Sequence, residues 1–273
     1  MKVLKTVFDF YINASIHVAL AVYAFVRITE FYFNLPYHQN LDFFVFFATI
    51  TGYNFVKFAG VAKLHHRSLT NNLKIIQIFS LFCFVAMCYY ASKIQTETLL
   101  FTVPFFLLTA LYAIPLLSGF EKNLRQISHL KNIVIALVWV GFTVLLSIIE
   151  SNKELDFNIS LFLIQRFLIV LVLILPFDIR DVKYDAISLQ TIPQKIGVEQ
   201  TKRLGIILMV IVLVLEYIIE SVATVKSPFM LFFFMIIILL MRAKTDQSKY
   251  YSSFWVEAIP VFWWLLLLGF DNF

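Results

Sequence analysis

Charge is scarce in this chain of 273 residues: Asp, Glu, Lys and Arg together supply 14% of it, where a soluble domain carries about 25%. That scarcity excludes a disordered polar chain, which needs charge and little apolar bulk. Cysteine is nearly absent. Cys83 and Cys88 fall in one apolar stretch and form no Cys-x-x-Cys, so a disulfide scaffold and a structural zinc site are excluded. Seven glycines and seven prolines are too few and too scattered for flexible or low-complexity tracts. What is abundant is apolar: 61% of residues are hydrophobic, 31 are Phe, and the mean hydropathy is +0.86. The surface of a soluble protein scales too steeply with mass to hide so many such side chains. A cytosolic enzyme and a nucleic-acid-binding domain are thereby excluded. The net charge of +5 reads instead as Lys and Arg in loops that face anionic lipid.

A helix needs about 20 apolar residues to cross the hydrocarbon core. The sequence supplies nine such stretches, near 12–33, 41–59, 73–92, 98–117, 132–149, 158–177, 204–222, 227–242 and 252–270. The reading is an all-α, polytopic membrane protein of about nine transmembrane helices, one transmembrane domain over 1–273. Its first stretch is longer than a signal peptide's apolar region and has no small-residue cleavage site, so it is expected to stay as a helix. Of the 22 Lys and Arg, Arg27 and Arg166 lie inside stretches, and only Lys93, Lys153 and Lys226 fall on one side of the membrane. All the others gather on the opposite side. The positive-inside rule then puts the N-terminus in the cytoplasm and the C-terminus outside, with a bacterial cytoplasmic membrane as the expected location. The longer connections, 60–72, 118–131 and 178–203, all become cytoplasmic, and loops carry function.

The densest chemistry follows the sixth stretch. Asp178, Asp181 and Asp185 are spaced i, i+3 and i+7, which on a helix aligns them along one face. Stacked like charges repel unless a cation sits among them, and Mg²⁺ held by carboxylates and substrate phosphates is one solution. The other reading is a solvated helix end with Arg180 and Lys183 as counter-charges. Downstream, Thr191-Ile192-Pro193-Gln194 has the form of a capping box. A helix is expected to start there and run into the seventh stretch, with Gly197 allowing a close approach. A helix N-terminus facing a metal cluster makes an anion site; an ordinary helix start is the alternative.

The run Asp181-Val-Lys-Tyr-Asp185, followed by Thr191-Ile-Pro193-Gln-Lys195-Ile-Gly197, resembles the second aspartate motif and trailing segment of the UbiA superfamily of intramembrane prenyltransferases. Leu111-Tyr112-Ala-Ile-Pro115-Leu, ending the fourth stretch, is similar to that family too. The resemblance implies a ring of helices around a central cavity. It also implies Mg²⁺ on the aspartates gripping an isoprenoid diphosphate, and a lipophilic acceptor, commonly aromatic, that attacks the ionised allylic carbon. Asp178, Asp181 and Asp185 become the implied metal ligands, and Asn54, Lys57, Arg67 and Lys195 the implied diphosphate contacts.

The resemblance breaks at the family's first motif, an Asn followed by three spaced aspartates. Asn54 matches, but the aspartate positions read Phe55, Phe58 and Ala62. No Asp or Glu lies in the following stretch to replace them. What is there is basic: Lys57, Lys63, His65, His66 and Arg67. Such groups bind phosphate directly, or simply form a positive-inside loop. Charges within the membrane, Arg27, Glu30, Arg166, Glu216 and Glu257, are costly and are usually paired or functional. Arg27 and Glu30 are spaced to satisfy each other. Arg166 points to a polar cavity, with Glu216 or Glu257 as its counter-charge. Two functions stay open: a UbiA-like prenyltransferase, or a catalytically impaired relative that binds lipid or quinone as a partner in a membrane assembly. A transporter is a third, without the paired broken spans that would support it.

Overall fold

The computed structural model of the chain describes residues 2–64, 71–114, 130–184, 190–221 and 225–271. Every regular element among them is helical. In chain order they are α1 (Lys2–Asn13), α2 (Ile16–Phe33), α3 (Gln39–Leu64), α4 (Asn71–Ala91), α5 (Thr96–Ala113), α6 (Leu130–Val140) and α7 (Leu146–Glu150). There follow α8 (Phe157–Asp181), α9 (Ile192–Ile196), α10 (Val198–Ile218), α11 (Lys226–Arg242) and α12 (Ile259–Asp271). A π-helical turn, Gly141–Leu145, joins α6 to α7, and a second, Tyr251–Val256, leads into α12.

Each of the nine predicted stretches coincides with a helix or helix pair. Among the described residues, six helical segments are long and apolar enough to cross a membrane: Ile16–Phe33, Leu73–Ala91, Thr96–Ala113, Leu130–Glu150, Phe157–Asp181 and Tyr251–Phe270. Of the others, α3 and α10 carry several charged residues and α11 has 17 residues. Local chemistry sets several boundaries. Asp156 caps α8 by accepting from the Ile159 amide at 2.7 Å. Asn34 ends α2 in the left-handed region, φ 48°.

Two expectations of the sequence are corrected here. The first stretch is not continuous: Ser15, at φ 64°, separates amphipathic α1 from α2. The helix begun at Thr191 does not run into α10 either. It ends at Ile196, and Gly197, at φ 83°, turns the chain before α10 starts. A Cβ at Gly197 would meet nothing within 4 Å, so this glycine serves the positive φ and not a close approach.

The long helices pack into a closed ring. Going round, α2 lies against α3, α3 against α5, α5 against α6, α6 against α8, α8 against α10, α10 against α11 and α11 against α12, which returns to α2. Helix α4 sits outside the ring on α3, its Leu81 and Phe82 exposed, as suits contact with lipid tails. Helix–helix packing in lipid draws on shape and hydrogen bonds more than on the hydrophobic effect. The π turn shows this. Gly141 lies under the Phe105 ring, where a Cβ would come within 2.3 Å of it, and Thr29 Oγ1 of α2 donates to the Thr143 carbonyl at 2.7 Å.

Arg166 is fully buried beside that contact. Its Nη1 donates to the Phe25 carbonyl at 3.0 Å, and its guanidinium carbon lies 4.1 Å from the Phe25 ring centroid, 5.0 Å from Phe162 and 6.0 Å from Trp263. Glu216 is held separately, by Tyr32 Oη at 2.9 Å and Gln165 Nε2 at 2.8 Å. Among the described residues no ion pair joins Arg166 to Glu216 or Glu257. The expectation of a carboxylate counter-charge and a polar cavity is therefore corrected: carbonyl and aromatic faces solvate this cation. Arg27 and Glu30 do pair, and Asp42, overlooked in the sequence, joins Arg27 at 3.4 Å.

Candidate functional site

Six segments bring their ends to one side of the ring: the α1–α2 junction, the end of α3, the end of α5, the start of α6, the end of α8 and the turn before α12. There they enclose a cavity of about 490 Å³. Its polar lining consists of Asn13, Lys57, Lys131, Asp178, Arg180, Asp181, Lys249, Ser253 and Glu257. Deeper in, Tyr53, Val56, Tyr112, Ile135 and Trp139 also line a second space of about 150 Å³, almost wholly apolar, between α2, α3, α5 and α6. A charged mouth thus leads into a greasy recess. Trp139 Nε1 donates to Tyr53 Oη at 2.8 Å where the two meet.

The aspartates of α8 face cations. Asp178, completely buried, accepts from Asn132 Nδ2 at 2.6 Å and from Lys131 Nζ at 3.1 Å. Asp181 accepts from Arg180 through both oxygens, at 2.7 and 3.0 Å. Helix α8 ends at Asp181, and Asp185 lies outside the described residues, as do His65, His66 and Arg67. Lys195 is exposed on short α9 and is not among the residues that line the cavity.

On the α3 wall, the described residues that reach the cavity are Tyr53, Val56 and Lys57, one helical face. Phe55 is 42% exposed and lies off the cavity. Asn54 is buried and fully engaged: it accepts from Ser15 Oγ at 2.8 Å and donates to the Ala14 carbonyl at 3.1 Å and to Ser80 Oγ at 2.8 Å. It is a joint between helices and not a cavity group. Lys57 Nζ donates to Ser15 Oγ at 2.8 Å and to the Asn13 carbonyl at 3.4 Å.

Among the described residues no three His, Cys, Asp or Glu converge on one point. The α3 wall offers an ammonium where a metal site needs carboxylates, so it does not fit Mg²⁺. Asp178 and Asp181 already have cationic partners.

The residues that the sequence reading missed are Lys131, Lys249 and Asn132. All sit at helix ends, where the two lysines counted only towards charged loops and Asn132 only as the first residue of an apolar stretch. At the rim, Lys249 Nζ and Tyr250 Oη both meet Asp9 of α1, at 2.5 and 2.8 Å. Hydrogen bonding from Lys249 holds the Asp9 carboxyl below its ordinary range, and Asp9 in turn raises the Lys249 ammonium.

Fold and cavity together define a polytopic helical membrane protein with a charged chamber open at one end of the ring. No protein-family model matches the sequence, and no curated protein does. Solved structures do match, and the fold of this chain is that of the UbiA homologues. The apo structure of a UbiA homologue from Aeropyrum pernix K1 superposes with a TM-score of 0.64 at 14% identity, covering 94% of this chain and 99% of that one. A UbiA homologue from Archaeoglobus fulgidus, bound to GPP and Mg²⁺, gives 0.60 at 13% identity over 97% and 100%. A digeranylgeranylglyceryl phosphate synthase gives 0.56 at 17% over 100% and 98%.

Proposed function

We propose that this protein is a UbiA-like membrane prenyltransferase that takes an isoprenoid diphosphate and passes its prenyl group to a lipophilic, aromatic acceptor. The observation that carries this reading is the continuity of the cation-bearing mouth with the apolar recess. A diphosphate head needs charge-assisted donors, and a prenyl tail needs apolar walls. The homologue from Archaeoglobus fulgidus binds GPP in the same fold, which supports the assignment.

In this reading the head lies among Lys57, Lys131 and Arg180, and the tail passes Tyr53 and Trp139 into the recess. The allylic carbon–oxygen bond breaks with its electron pair going to the diphosphate, whose growing charge the ammonium and guanidinium groups offset. The π faces of Tyr53 and Trp139 flank the allylic cation. The acceptor forms the new bond and gives up a proton, for which Glu257 is the cavity carboxylate without a hydrogen-bonded cation. Closing the chamber to water protects the cation from hydrolysis.

The test is incubation of purified protein in nanodiscs with tritiated geranyl diphosphate and lipid extracted from its host membrane. Label moving into an organic-soluble product, with release of diphosphate, is expected. Retention of label without release favours the second reading, a non-catalytic lipid- or quinone-binding protein, for which the cation-paired aspartates speak. Absence of any binding overturns both the donor class and the enzyme.

A further inference from the structure

We propose that the Lys57 ammonium is a built-in replacement for metal on the α3 wall, so that this cavity recognises a diphosphate there without a divalent ion. The inference rests on the isoprenoid-diphosphate reading above and goes beyond it in assigning how the head is held.

Three observations converge on it. Lys57 shares a helical face with Tyr53 and Val56, the α3 residues that line the cavity among the described residues. The cation therefore points where the head would lie, while Phe55, one position from Asn54, turns away. Second, the neighbouring polar group cannot contribute, since Asn54 spends its amide on Ser15, Ala14 and Ser80. Third, Lys57 is held lightly. Its hydrogen-bond partners are one hydroxyl and one carbonyl at 3.4 Å, both neutral, and among the described residues no carboxylate is in direct contact with it, Glu257 being its charged neighbour across the cavity. The other cavity cations differ: Lys131, Arg180 and Lys249 each face an aspartate directly. An incoming phosphate would have to displace a hydrogen-bonded carboxylate from those three, but only neutral hydrogen-bond partners from Lys57, whose carboxylate neighbour Glu257 acts on it through space.

The geometry has a further consequence. Lys57 now tethers the α1–α2 junction through Asn13 and Ser15, and Ile12 and Asn13 themselves line the cavity. An ammonium moving from the Asn13 carbonyl to a phosphate oxygen loosens that tether while it fixes the ligand. Head-group binding and the seating of α1 are thus coupled through one side chain.

The experiment measures binding of tritiated geranyl diphosphate to the full-length protein in nanodiscs, once in excess EDTA and once with Mg²⁺. Wild type is expected to bind in EDTA. Lys57→Gln is expected to weaken that binding at least tenfold, with no rescue by Mg²⁺, and Lys57→Arg to stay within about threefold of wild type, since a charge-assisted contact is restored. A measurement on the unaltered protein stands beside the variants: geranyl diphosphate in EDTA should protect Lys57 from reductive methylation, read by mass spectrometry. Binding by wild type only with Mg²⁺, or unchanged binding by Lys57→Gln, or methylation of Lys57 unaffected by ligand, overturns the Lys57 assignment and leaves the donor class standing. No binding with or without Mg²⁺ removes the donor class itself.

Discussion

Asn54 and Glu257 show two opposite uses of a polar side chain in a membrane interior. Asn54 joins three segments through hydrogen bonds to Ser15, Ala14 and Ser80. Asn54→Leu removes all three bonds, while Ser15 Oγ keeps Lys57 and Ser80 Oγ keeps the Ile76 carbonyl, so the loss is about 1–3 kcal/mol in all. A clear fall in the melting temperature in detergent is expected, whether or not ligand is present. Glu257 lines the cavity and contributes negative charge to a chamber that must hold an anion. Glu257→Gln keeps its shape and removes the charge. Geranyl diphosphate binding should tighten severalfold, by about 1 kcal/mol for a charge several ångströms away in a partly aqueous site, while transfer to an acceptor falls. Titration of the variant against wild type separates the two effects. The difference between these residues was not legible in the sequence. Asn54 matched a motif and turned out to be a joint, because hydrogen-bond partners 39 and 26 positions away along the chain leave no trace in local spacing. Lys57 stood out in the sequence through its basic neighbourhood, and the structure places it on the cavity wall.

At the scale of single elements, the helices announced themselves and their interruptions did not. Apolar runs of membrane-spanning length can only fold as helices in lipid, so all nine stretches were visible. The break at Ser15 and the two π turns depend on what packs against them, and no run of letters encodes that. The turn at Gly141 is the clearest case: its missing side chain makes room for Phe105 of α5. Gly141→Ala should therefore destabilise the protein by roughly 1–3 kcal/mol through overpacking, and Phe105→Leu in the same chain should recover much of the loss. Thermal melts of the single and double variants check this. Helix α1 depends on a different device, the contact of Asp9 with Lys249 and Tyr250. Because its partners hold the Asp9 carboxyl low, the contact is complete above the ordinary Asp value of about 3.9 and is lost as pH falls through the depressed one. Limited proteolysis of α1 should accordingly rise only in strong acid for wild type, and at neutral pH for Asp9→Asn.

For the molecule as a whole, the alternation of basic and apolar segments carries the proposal for orientation. The cavity mouth gathers parts of α3, α6 and α8 and the turn before α12, with Lys57, Lys131, Arg180 and Lys249 among its lining residues, all four on the side that the sequence reading takes as cytoplasmic. If that side is cytoplasmic and nine helices cross, reporters fused to the two termini give opposite signals. Equal signals overturn the count. The ring as such was implied by a family resemblance and not by any pattern of residues, since which helix neighbours which is a property of packing between distant segments.

Arg166 sits among Phe25 of α2, Phe162 of its own helix and Trp263 of α12, and α12 is also the segment that closes the ring onto α2. During synthesis the last of these rings emerges about a hundred residues after the arginine. Until then the guanidinium has entered the bilayer with part of its shelter unmade. The insertion machinery, or a temporary escort of lipid headgroups and water, must carry that charge through the interval. Assembly of the chamber is therefore a timed event, finished by the last helix and vulnerable to any delay in its arrival.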